Sequence, residues 1–99
     1  MEKIVILNNS GLAITLGDKD VYKLIGISYE VYREKQIEKG TLIIKNLFTS
    51  ASLNNIRIGD DCGITFTADV TSRNIVLRVA LSDATYPADL IYTVDYKLS

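Results

Sequence analysis

The chain has 99 residues, a formal net charge of −1 and no histidine, and 47% of its residues are hydrophobic. This length predicts a single domain, residues 1–99, and the hydrophobic content excludes a disordered chain. The near-neutral charge argues against a nucleic-acid partner, since phosphate-binding proteins normally carry a basic surplus. No apolar run approaches the ~20 residues that span a bilayer, so we expect no membrane partner.

The first apolar stretch, residues 3–7, predicts a strand that starts almost at Met1. No secretory signal layout precedes it, so we expect the chain to be made in a cytoplasm. Residues 8–11 have the composition of a turn. Leu12, Ile14 and Leu16 then alternate with smaller residues, which predicts a second strand returning as a hairpin.

Residues 21–33 form the longest strand candidate. Its predicted inward face consists of Ile25, Ile27, Tyr29 and Val31. A turn at residues 34–35 folds the chain back and places Gly40 opposite Tyr29, where a missing side chain leaves room for the ring. A helix over residues 29–39 is the competing interpretation, because helix formers recur there at charge-pairing spacing. The β-rich flanks favour the hairpin, followed by a loop or edge segment and a short strand at residues 55–58.

Residues 63–98 read as three strands with clear period-two alternation. A tight turn around residues 72–73 sets Val70 opposite Ile75 and Phe66 opposite Val79. A slip of one residue would turn one apolar face outward, so the alternation favours this register. We expect the third strand to continue the sheet as a meander, with Leu81 opposite Leu90. Its predicted inward face consists of Leu90, Tyr92, Val94, Tyr96 and Leu98.

These segments add up to about eight short strands with turn signals between them and no clear helix. The pattern predicts an all-β fold, an antiparallel β-sandwich that is either jelly-roll-like or a small barrel.

Catalytic chemistry is not indicated by the residue types. Histidine, the commonest general base and metal ligand, does not occur. Cys62 is the only cysteine, and the charge of neighbouring Asp61 would raise its thiol pKa. Asp60 and Asp61 read as a turn, not as a metal site. We therefore expect neither an enzyme nor a metal or other cofactor.

A subunit contact is the function that the outward residues favour. Val76, Ala80 and Ile91 fall on the outer face of the predicted meander, where they would form an exposed apolar group. The same face could instead be the inner wall of a wider sandwich. Tyr22 and Tyr32 also face outward, and aromatic rings there suit either a protein or a sugar contact.

Two hairpins carry a family resemblance. One joins residues 28–33, Ser-Tyr-Glu-Val-Tyr-Arg, to residues 39–44, Lys-Gly-Thr-Leu-Ile-Ile. The other joins residues 63–70, Gly-Ile-Thr-Phe-Thr-Ala-Asp-Val, to residues 74–79, Asn-Ile-Val-Leu-Arg-Val. Both resemble small all-β modules of tailed-bacteriophage virion proteins, which occur in fibres, tail appendages and capsid decoration proteins. The resemblance covers residues 28–99.

The resemblance implies a virion structural protein that forms homo-oligomers or binds other capsid or tail subunits, without catalytic residues. The chain differs from such modules in having Ser72 and Arg73 where their second turn usually contains glycine. It also lacks a long fibre-forming region before the module, which points to a decoration or accessory subunit. The alternative is a small carbohydrate-binding or protein-binding β module, with a glycan as the ligand.

Overall fold

The computed structural model describes residues 2–7, 11–82 and 86–99, with residues 2–7 described by their backbone alone. Within these ranges the chain forms eight strands and no helix, so nothing described there could cross a membrane as a helix. The strands are β1 (Glu2–Leu7), β2 (Gly11–Asp18), β3 (Leu24–Arg33), β4 (Gln36–Asn46), β5 (Ala51–Gly59), β6 (Ile64–Thr71), β7 (Asn74–Leu81) and β8 (Ala88–Leu98).

The strands form two antiparallel sheets. The large sheet has five strands in the order β1-β8-β3-β4-β5, and the small sheet has three in the order β2-β7-β6. Because no strand pairing joins the two sheets among the described residues, the β-sandwich prediction is confirmed and the small barrel is not formed. Nested pairing of β1 with β8 and of β2 with β7 is jelly-roll-like.

Both predicted hairpins have the predicted registers. In β3–β4, Tyr29 lies opposite Gly40, and a Cβ at Gly40 would come within 2.7 Å of the Tyr29 ring carbons. In β6–β7, Val70 pairs with Ile75 across a turn where Ser72 has a positive φ of 57°. The helix over residues 29–39 is therefore wrong. Local alternation was enough to specify these pairings, since a slip would have exposed an apolar face.

The core lies between the facing sides of the two sheets. Its centre is the contact of Tyr29, from the large sheet, with Phe66, from the small sheet; their ring centroids are 4.6 Å apart. The predicted inward residues of β3 are all buried. The most completely buried apolar side chains are Ile25, Ile27, Leu42, Ile44, Ile75, Leu77, Leu90 and Val31.

The predicted meander is wrong, because β8 belongs to the large sheet. It pairs with β1 and β3, whereas the second neighbour of β7 is β2. The predicted β1–β2 hairpin is wrong for the same reason, and its turn at residues 8–10 lies outside the described residues. An apolar inward face fits either wall of a sandwich, so alternation shows which side of a strand is buried but not which sheet contains it.

A β-bulge in β8 reverses the alternation near the end of the strand. Ile27 pairs with Val94 but Gly26 pairs with Tyr96, so Asp95 is an extra residue. After the bulge Tyr96 lies on the outer face over Gly26, 39% exposed, and Leu98 is exposed as well. The prediction that Tyr96 and Leu98 face inward is wrong, because the bulge shifts their parity. The β5 strand is also longer than predicted, pairing with β4 along its whole length.

The core assignment gives a stability prediction. We expect Phe66→Ala and Leu77→Ala each to lower the free energy of unfolding by about 2–5 kcal/mol, because both truncate buried side chains at the sheet interface. The exposed Thr67, next to Phe66 on β6, provides the control: Thr67→Ala should change the free energy of unfolding by less than about 0.5 kcal/mol. Urea denaturation measures all three. Equal losses would show that the faces of β6 are assigned wrongly.

Candidate interaction surface

Three exposed isoleucines lie together on the outer side of the large sheet. They are Ile37 on β4 and Ile56 and Ile58 on β5, with 45%, 57% and 69% of their surfaces exposed. Ile58 lies opposite Lys39, two residues beyond Ile37, so Ile58 is a diagonal neighbour of Ile37. Ile56 precedes Ile58 by two residues on the same side of β5, so Ile58 connects the other two isoleucines. We call this group the isoleucine face. Contiguous exposed apolar side chains of this kind are typical of contact surfaces.

A groove of about 510 Å³ runs beside the isoleucine face. Ile56 and Ile58 line one side and Ile91 lines the other, over a polar floor. Within that floor the charged groups and the Ser28 hydroxyl already have partners. Lys39 Nζ lies 3.5 Å from Glu30 Oε1, and the Ser28 hydroxyl donates to Asp95 Oδ2. The apolar walls, in contrast, are open to solvent.

A buried carboxylate holds β5 against the sheet below the isoleucine face. Glu38 has no exposed surface and accepts hydrogen bonds from the Tyr29 hydroxyl at 2.8 Å and from the Cys62 backbone N–H at 3.2 Å. Arg57, on β5, has its guanidinium 4.0 Å from the same carboxylate and 3.6 Å from Asp61. Asn55 Oδ1 is 3.1 Å from the Tyr29 hydroxyl. These contacts fix β5 to β3 and β4 through side chains as well as through the ladder.

The environment of this cluster raises the pKa values of the Tyr29 hydroxyl and the Cys62 thiol. Burial, followed by the hydrogen bond to Glu38, raises the pKa of Tyr29 far above its ordinary value. Burial is also the largest cause raising the pKa of the Cys62 thiol, and Glu38, Asp60 and Asp61 act in the same direction. The predicted direction for Cys62 is therefore right, although Asp61 is a minor cause. A buried, protonated thiol is a packing group and not a nucleophile.

The predicted interface residues do not form one patch. Val76 and Ala80 lie on the small sheet, whereas Ile91 lies in the large sheet, because β8 does not pair with β7. Val76 is also only 7% exposed, so the exposure predicted for it is wrong. It faces out from the central strand, and the Arg78 side chain reaches past it to Asp69 and Thr71 on β6. Ala80 is exposed in a separate shallow groove lined with small residues.

The two tyrosines proposed as contact residues are both half-buried. Tyr22 packs against the core, and Lys97 Nζ lies 5.0 Å from its ring centroid. Tyr32 lies on the outer face opposite Ile37, and its hydroxyl donates to Glu30. Of the five predicted residues, only Ile91 and Tyr32 are thus on the side that contains the isoleucine face.

The sequence contained a signal for the isoleucine face that the prediction did not use. The turn at residues 34–35 that places Gly40 opposite Tyr29 also places Ile37 opposite Tyr32 on the outer side. Residues 55–58 were expected to form a short strand. Pairing the strand at residues 55–58 with β4, so that Ile58 lies opposite Lys39, would have brought the isoleucines together.

The predicted turn residues Asp60 and Asp61 accept hydrogen bonds from the backbone N–H groups of Ile37 and Gly63, respectively. In the described ranges no group of three acidic, cysteine or histidine residues could hold a metal.

We expect the buried carboxylate to be important for stability. Glu38→Ala should lower the free energy of unfolding by about 2–3 kcal/mol, because it leaves the buried Cys62 N–H without its acceptor and the Tyr29 hydroxyl with Asn55 alone. Glu34→Ala, at an exposed turn position, is the control and should cost less than about 0.5 kcal/mol. Chemical denaturation at pH 7 compares them. A loss no larger for Glu38 than for Glu34 would contradict the assigned role.

The raised pKa of Tyr29 predicts a loss of stability at alkaline pH. Below the unfolded-state tyrosine pKa of about 10, the residue is protonated in both states and its contribution is fully present. Above it, the unfolded chain releases a proton that folded Tyr29 retains, so the free energy of unfolding falls as pH rises. Tyr29→Phe should make this fall shallower in urea titrations between about pH 9 and pH 11. Thr67→Ala should keep the wild-type slope; equal slopes for all three proteins would exclude Tyr29 as a source.

Comparisons of the chain with protein-family models and with curated proteins find no match. The resemblance to tailed-phage virion modules therefore stays an expectation drawn from residues 28–99. The isoleucine face, on the outer side of the large sheet, is the feature of the surface that indicates a function.

Proposed function

We propose that the chain is a structural subunit of a tailed-phage virion, of the decoration or accessory type, that binds neighbouring virion proteins through the isoleucine face. The observation that carries this proposal is the contiguous exposure of Ile37, Ile56 and Ile58 on a rigid sheet. About half of each isoleucine surface is left to bury, so each would contribute about half of the roughly 1.5–3 kcal/mol of a full burial. The isoleucine face could therefore form the centre of a contact.

The charges around the isoleucine face favour a protein partner with an apolar surface. Lys39 is paired with Glu30, and Arg57 is paired with Asp61, so their charges are largely balanced within the chain. Such a contact has an apolar centre and a polar rim, the usual anatomy of a protein interface. The presence of both resembling hairpins, in their expected registers, supports the virion context.

The alternative, a glycan-binding module, is supported by the polar floor of the groove. Sugar sites usually add an exposed aromatic ring on which the sugar stacks. The ring in this groove belongs to Tyr29, which is buried under Gly40, while the exposed rings of Phe48, Tyr86 and Tyr96 are not among the described lining residues. The groove therefore favours a protein partner over a sugar.

Co-purification with phage particles tests the proposal. A tagged chain, produced during infection by the phage that encodes it, should band with the particles in a density gradient. Ile37→Lys should reduce its incorporation at least tenfold, because a lysine would be buried against an apolar partner surface. Thr65→Lys, on the exposed face of the small sheet, is the matched control and should be incorporated normally.

Thermal unfolding of both variants should match the wild type, since both positions are exposed. Normal incorporation of Ile37→Lys would remove the isoleucine face from the contact. A wild-type chain that never bands with particles, yet is retained by immobilised host glycans, would favour the alternative.

A further inference from the structure

We propose that two copies of this chain associate edge to edge through β5, forming an antiparallel pair about a two-fold axis at Ile56 that joins their large sheets into one. This goes beyond the virion assignment, because it names a second copy as the partner of the sheet edge. It shares Ile56 and Ile58 with the proposed virion contact, but Ile37 is not part of the edge contact, so the two proposals can be tested separately.

Among the described residues, β5 has a strand partner on one side only. β5 is the last strand of the large sheet, and its register with β4 runs from Ala51 to Gly59 without interruption. Just beyond it, the Asp60 N–H donates to the Ile37 carbonyl at 2.9 Å. The N–H and C=O groups of successive residues point to opposite sides of a strand. Because the Asp60 N–H points to β4, the backbone groups of the even-numbered residues of β5 also point to β4. The odd-numbered residues, from 51 to 59, therefore direct their N–H and C=O groups to the open side.

The other edges with described side chains have features that discourage pairing, and β5 does not. On β6, the Asp69 carboxylate accepts the neighbouring Val70 N–H, which faces the open side. On β2, a bulge interrupts the strand and the Leu16 carbonyl accepts a hydrogen bond from Lys97. Natural edges are commonly protected by such bulges and charges, or by proline. β5 has no proline or bulge, and its one charged residue, Arg57, is already paired.

The sequence of β5 selects one self-pairing register. With the axis at Ile56, this residue lies opposite the partner's Ile56, and Arg57 lies opposite the partner's Asn55. The N–H and C=O groups of Asn55 and Arg57, which point away from β4, then exchange hydrogen bonds with the partner strand. An axis at Arg57 would place two arginines opposite each other, which is unfavourable. An axis at Asn55 would pair Ile56 with the partner's Asn54 and leave its apolar surface poorly covered.

Self-pairing would also cover the most exposed apolar side chain of the edge. Ile58, at 69% exposure, would lie diagonally across from the partner's Ile56 on the same outer face. The paired strands would thus share an isoleucine cluster over their common ladder. No rearrangement within the chain is needed, because Glu38, Asn55 and Arg57 already fix β5 in an extended conformation.

Cysteine cross-linking tests the register. Ile56→Cys should form a disulfide-linked dimer on mild oxidation, because a non-hydrogen-bonded antiparallel pair has its Cα atoms about 4.5 Å apart, within disulfide range. Native Cys62 is buried and does not compete. Ile58→Cys is the matched control and should stay monomeric on a denaturing gel. A mixture of Ile58→Cys with Asn54→Cys should cross-link, since those positions face each other. An Ile56→Cys chain that does not cross-link, or an Ile58→Cys chain that links as readily, overturns the proposal.

A charge-swap experiment tests the association without cysteine chemistry. Light scattering should give the wild type twice the chain mass of 11.0 kDa. Ile56→Lys and Ile56→Glu should each be folded monomers by thermal unfolding, because like charges would meet on the axis. Mixing the two should restore a dimer. A monomeric wild type overturns the proposal, as does a mixture that stays monomeric. Ile37→Lys should remain a dimer, so a failure of virion binding and a failure of self-association give different results.

Discussion

The side chain of Tyr29 is the constraint on which the arrangement of the molecule depends. Its ring packs against Phe66 of the small sheet and lies across the backbone at Gly40, and its hydroxyl reaches the buried Glu38. One residue thus connects the two walls of the sandwich to the hairpin that supports β5. Gly40 is required because a Cβ there would occupy the space of the ring. The edge strand is consequently part of the rigid body of the domain.

The start of β4 inverts the usual distribution of residue types. Glu38 points into the core with no exposed surface, while its neighbour Ile37 points to solvent. A half-buried strand normally has the opposite pattern, and departures from local rules tend to occur at functional sites. This inversion has one effect inside the domain and one on its surface. The buried carboxylate accepts hydrogen bonds from two neighbouring segments, and the displaced isoleucine joins Ile56 and Ile58 outside. The buried Glu38 beside the exposed Ile37 is the reason why the proposed contact is placed on the large sheet.

Local pairing was predictable from the sequence, and long-range pairing was not. The β3–β4 and β6–β7 hairpins follow from alternation and short turns, which fix register within about twenty residues. The pairings of β8 with β1 and β3 join segments far apart in the chain, and many apolar strands would satisfy the same alternation. The extra residue Asp95 has no sequence signal of its own, so Tyr96 and Leu98 were assigned to the wrong face. Val76 was correctly directed outward, but its low exposure was not predictable from alternation, which does not show how neighbouring side chains such as Arg78 pair along the face.

Cys62 lies where the connection from β5 to β6 crosses between the sheets, and this position has a consequence for the dynamics of the domain. Its backbone is held by Glu38 on one side and by the Arg33 guanidinium, 2.8 Å from its carbonyl, on the other. The thiol can meet solvent only when these hydrogen bonds open and the two walls separate locally. Its rate of modification by a small reagent therefore reports the frequency of that opening. The modification rate of the Cys62 thiol is thus a measure of how often the two sheets of the sandwich open locally.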